Sequence, residues 1–150
     1  MELQTFINTN SDYLSQFKEH KLYVRNYSRL GLLIVKGYRN NIYDYENHPW
    51  LKYCRGAIID TNKNRLVCIP PQKAIEYGNK NIEDIINDYS EEYSYEPLID
   101  GTMINLFYHG DEWMIATRSN IGAKNSWDSK QPFNAMFLEV YGSDWFEELK

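Results

Sequence analysis

The spacing of hydrophobic and polar positions changes along the chain and divides it into elements. Leu3, Phe6, Leu14 and Phe17 predict that residues 1–20 are largely helical, with these four side chains turned inward. From Leu22 to Val35 the chain is rich in Tyr, Val, Ile and Leu, with Asn26–Ser28 and Gly31 as interruptions, the pattern of a strand pair. Residues 54–60 read as a strand, residues 61–64 as a turn, and Arg65 to Ile69 as the returning partner. Pro70 and Pro71 end that strand, because proline cannot donate to a ladder. Ile82, Ile85, Ile86 and Tyr89 predict a helix over 81–90, with Glu83 and Asp84 in its first turn. Strands follow at about 94–100, 102–108 and 112–118, the last two joined by a turn at His109-Gly110-Asp111. Phe133, Met136, Phe137, Val140 and Tyr141 mark a helix between Pro132 and Gly142, and Asp144 with Glu147 resembles a capping box for a last one. Antiparallel strand pairs with helices between them predict an α+β fold.

Composition narrows the class. A chain of 150 residues that is 43% hydrophobic and 25% charged suits one domain with a core and no disordered tract. The 13 tyrosines suit strand and core packing, with base stacking on a few exposed rings as the alternative. A net charge of −5 argues against nonspecific nucleic-acid binding and leaves a local basic cleft open. Cys54 and Cys68 form no metal or redox pattern and read as reduced thiols of a cytoplasmic protein. The first residues lack a signal-peptide pattern, and no apolar stretch is long enough for a membrane span, so no membrane partner is expected. His20, His48 and His109 lack ligand-like spacing, and no metal role is expected of them. Trp50, Trp113 and Trp145 read as packing residues, whereas Trp127 lies in a loop-like stretch and is the candidate for stacking.

Four segments carry the candidate chemistry: Lys52-Tyr-Cys-Arg-Gly-Ala-Ile-Ile-Asp60, Ile69 to Asn79, Glu96-Pro-Leu-Ile-Asp-Gly-Thr-Met-Ile104, and Ala116-Thr-Arg-Ser-Asn-Ile-Gly-Ala123. Their order and spacing over roughly 50–125 resemble the adenylation domain of phage T4-type RNA ligases, in the covalent nucleotidyltransferase superfamily. The resemblance implies a nucleotidyltransferase (ATP-grasp-like ligase) fold of antiparallel sheets flanked by helices. It also implies ATP and magnesium as cofactors, and RNA ends as partners to be joined through an adenylated lysine. By the same resemblance, Arg55 and Gly56 match the family's Arg-Gly pair beside the phosphates, and Asp100, Gly101 and Thr102 match Asp-Gly-Ser/Thr of the nucleophile motif. Lys73 falls near the lysine of the Pro-x-x-Lys segment, although Ala74 to Tyr77 depart from Phe-Phe-Asn, and Arg118 and Ser119 fall where a basic residue faces the nucleotide.

Bland readings stand beside these. Arg55 suits a surface ion pair, Asp100-Gly101 an ordinary turn, and Glu76 a helix surface as readily as a cleft. Leu98 occupies the position of the nucleophilic lysine, and leucine cannot attack a phosphate. The family's later glutamates and Lys-x-Lys pair would follow residue 150, so the chain reads as a single domain lacking its C-terminal part. Three functions follow: an RNA-ligase-type enzyme, a catalytically inactive module that binds a nucleotide or an RNA end, and a partner-binding scaffold.

Overall fold

The computed structural model describes residues 2–38, 41–72, 96–97, 100–127, 131–142, 144 and 147. One antiparallel sheet runs in chain order through β1 (Tyr23–Tyr27), β2 (Leu32–Lys36), β3 (Arg55–Asp60) and β4 (Arg65–Cys68). A second contains β5 (Asn105–His109), β6 (Glu112–Thr117) and β7 (Asn120–Ile121). With helices α1 (Glu2–Thr9), α2 (Tyr13–Glu19) and α3 (Phe133–Tyr141), the class is α+β, as the patterning implies.

β2 and β3 lack apolar–polar alternation because both faces of their sheet are covered. Leu33, Val35, Ala57 and Ile59 join Leu3, Phe17 and Trp50 beneath α1 and α2. The intervening Leu32, Ile34 and Ile58 point the other way, onto Phe107, Ala116 and Ile121 of the second sheet. Three layers result: helices, first sheet, second sheet. Phe6 stacks on Trp50 with ring centroids 4.0 Å apart and closes the helix side of the core.

The N-terminal expectation needs one correction. The helix breaks after Thr9 and restarts at Tyr13, which resets its phase. Tyr13 and Phe17, four residues apart, share the buried face, and Leu14, one position on, is turned away and 42% exposed. Ile7 takes a second buried place in α1.

Asp60 holds the turn after β3, its Oδ1 accepting the backbone N–H groups of Asn62 and Lys63 at 2.9 and 3.1 Å. Between β5 and β6 the turn narrows to Gly110 and Asp111, both at positive φ, so His109 remains in the strand opposite Glu112. β5 begins at Asn105, three residues later than its sequence pattern suggests. In α3 only Phe133 is buried, while Met136, Val140 and Tyr141 are exposed. The helix expected at 81–90, residues 94, 95, 98 and 99 of the strand expected at about 94–100, and Lys73, Glu76 and Trp145 lie outside the described residues.

Candidate functional site

The site begins where the register between β2 and β3 slips. Val35 pairs with Ala57, but Lys36 pairs with Arg55, so Gly56 is the extra residue of a β-bulge, at φ +106°. The slip sets two cations opposite each other at the end of the sheet. The third comes from the second sheet: Arg118 sits in the turn between β6 and β7 and packs its backbone against Gly56. That turn is anchored from both sides. Ile121 N–H donates to the Tyr27 hydroxyl of the first sheet at 3.0 Å, and the Thr117 hydroxyl donates to Asn125 Oδ1 at 2.9 Å.

Two cavities open on either side of these cations. One, of about 480 Å³, is walled by Pro70, Pro71, Gly101, Thr102, Ser119 and Trp127. The other, of about 540 Å³, is walled by Tyr38, Asn41, Tyr43, Tyr45, Leu51 and Cys54. Lys36, Arg55 and Arg118 line both, so the cations form the strip that the two cavities share.

The strip is electrostatically unsatisfied. Burial, and after it the Arg118 guanidinium, pushes the Lys36 ammonium below its usual pKa. Burial and then Arg118 lower Arg55 too, against a smaller opposing effect of Tyr45. Among the described residues no carboxylate lies within ion-pair distance of the three cations. Lys36 Nζ instead lies 5.1 Å from the centre of the Tyr23 ring. Such a place favours a multiply charged anion, and guanidinium forks suit phosphate oxygens.

Of the residues singled out in the sequence, Arg55, Gly101, Thr102, Arg118 and Ser119 line the first cavity together, and Gly56 sets the approach of the two sheets. Asp100 is exposed, and its carboxylate accepts the N–H of Gly101 at 2.9 Å, a local turn contact. Trp127 is 77% exposed and held in place, its indole N–H donating to Thr102 Oγ1 at 2.7 Å and its ring meeting the Phe133 ring edge-on. Lys36 is the residue that sequence reasoning missed. Its signal was a lysine directly abutting a fully apolar strand, but only the bulge places it beside Arg55. Both cysteines are free; burial pushes the Cys54 thiol far up and the Cys68 thiol up to about 11. Among the described residues no group of three or more His, Cys, Asp or Glu could hold a metal ion, and no helix is long and apolar enough to cross a membrane.

The chain is 22% identical, over 134 residues, to a protein of Autographa californica nuclear polyhedrosis virus named as a bifunctional polynucleotide kinase/RNA ligase. The match takes in 83% of this chain and 19% of the viral protein, so the chain spans about a fifth of that relative's length. The likeness is a distant one to an RNA-ligase-type protein. No family model matches the chain, and no solved structure matches it.

Proposed function

We propose that this chain is an RNA-ligase-like module that binds the phosphate of a nucleotide or an RNA end on Lys36, Arg55 and Arg118 and forms no covalent nucleotidyl intermediate. The observation that carries the reading is the strip of three cations shared by two cavities, without a carboxylate partner among the described residues. Like charges drawn together and partly desolvated raise the free energy of the empty site, and an anion lowers it. The phosphates of ATP fit this strip. Among the described residues no cluster of three or more His, Cys, Asp or Glu stands ready for magnesium, so the ion would be held largely by the bound phosphates. Leucine at position 98 supplies no nucleophile.

A ligase reading has one observation in its favour. Lys36 is a lysine inside the site, with its pKa lowered by burial and by a neighbouring cation, the environment that makes an amine nucleophilic. Incubation with ATP, and separately GTP, labelled at the α-phosphate distinguishes the two. Saturable binding without label that survives denaturation, with binding lost in Arg55→Ala, is the expected result. Covalent label on a lysine overturns the noncatalytic reading, and Lys36→Ala then shows whether Lys36 carries it. Absence of any nucleotide binding removes the phosphate site itself. Leu98→Lys should gain label if the rest of the pocket supports adenylyl transfer.

A further inference from the structure

We infer that the two cavities are paired base subsites on either side of one phosphate clamp, so that the preferred occupant is a short single-stranded oligonucleotide rather than a mononucleotide. This rests on the phosphate reading above and goes beyond it in assigning the tyrosine-lined cavity. A nucleotide held by its phosphate on Lys36, Arg55 and Arg118 has only one base, which fills one cavity and leaves the other empty. A phosphodiester on the same strip carries a nucleoside on each side, and each cavity is of the size that takes one.

The walls suit bases. On one side Trp127 presents an indole that is mostly exposed yet fixed by its hydrogen bond to Thr102 and its edge contact with Phe133, so stacking costs little ordering. On the other side Tyr38 is 51% exposed, and its backbone N–H donates to the Tyr43 hydroxyl at 2.8 Å. The Tyr43 hydroxyl donates in turn to the Lys21 carbonyl at 3.2 Å, and the Tyr45 ring lies 6.1 Å from the Tyr43 ring. The Tyr38 ring itself meets the Tyr23 ring edge-on, with centroids 6.1 Å apart. Accessible aromatic rings braced in this way beside cations are the means by which proteins hold single strands. With a net charge of −5 the chain has no general attraction for a polyanion, so binding has to come from local cations such as these.

The test compares adenosine 5′-monophosphate with the 5′-phosphorylated diribonucleotide of adenosine, by direct binding to the full chain. The dinucleotide should bind about tenfold more tightly or better, the gain expected of one further stacked base. Tyr38→Ala should remove that gain, bringing the dinucleotide down to the affinity of the mononucleotide, and Tyr38→Trp should restore it. Trp127→Ala and Arg118→Ala should weaken both ligands. Equal affinity of the two ligands, or a gain insensitive to Tyr38, overturns the paired-subsite assignment and leaves the phosphate site standing. If neither ligand binds, both readings fall. Because Tyr38 is half exposed and its hydrogen bond to Tyr43 is made by its backbone, the alanine variant is expected to fold, and a thermal transition matching the parent's checks this.

Discussion

Gly56 lies directly against the backbone of Arg118: a Cβ built on Gly56 would stand 2.7 Å from the Arg118 carbonyl oxygen and 2.8 Å from its Cα. The glycine is also at φ +106°, where side chains are strained. The Arg-Gly dipeptide thus does two things. Its arginine supplies a charge, and its glycine lets the second sheet deliver another.

Gly56→Ala should therefore cost both stability and binding. Backbone strain alone is worth on the order of 1–3 kcal/mol, and the clash with main chain adds to it. Urea unfolding should show a lowered midpoint, and phosphate binding should fall further than the fraction folded accounts for. An alanine variant that unfolds and binds like the parent would show that the close approach is not required.

Arg118→Ala should weaken nucleotide binding by roughly tenfold or more, the scale of one charge-assisted contact. The dependence of log affinity on log salt should become shallower, because one fewer cation meets the phosphates. Titrations at two salt concentrations check both. The melting temperature should not fall, since removing Arg118 relieves repulsion on Lys36 and Arg55.

Lys36→Met should separate stability from binding. The folded-state pKa of Lys36 is depressed, so its contribution to stability is present above the usual 10.5 and is lost as pH falls through the lowered value. At neutral pH the charged form is therefore a cost. Methionine keeps much of the stem's packing without that cost, so the variant should melt higher than the parent at pH 7, with the difference shrinking toward pH 10.5. Phosphate binding should fall. A variant destabilised at neutral pH would contradict the electrostatic account.

Asp60→Ala should destabilise the first sheet by about 2–3 kcal/mol, because the Asn62 and Lys63 N–H groups lose their acceptor. Asp60 also faces His109 of the second sheet at 3.8 Å, while His109 Nε2 lies 3.0 Å from the Leu30 carbonyl and donates to it. Asp60→Asn, which keeps the accepting oxygen, should cost about 1 kcal/mol or less. Denaturant titration of the two variants distinguishes the turn contact from the charge contact: equal losses would assign the effect to charge.

Several elements were legible in the chain because their signals are local. The β3–β4 and β5–β6 hairpins follow from turn residues between apolar runs, and α3 from its period bounded by Pro132 and Gly142. Arg55, Thr102 and Arg118 could be singled out because their motifs are contiguous. Leu14 was misassigned because the break between α1 and α2 shifts the helical phase, and periodicity read across a break no longer tracks one face.

What the sequence determined by itself was the α+β class and the identity of the residues in the motifs. These depend on residue type and near neighbours. What only the tertiary structure decided was the assembly of charge. Lys36, Arg55 and Arg118 are distant in sequence, and they share one strip because a bulge shifts the pairing of β2 with β3 and a glycine admits the turn of the second sheet. Coulomb interactions act through space, so whether three cations form a clamp is settled by packing and not by their order along the chain.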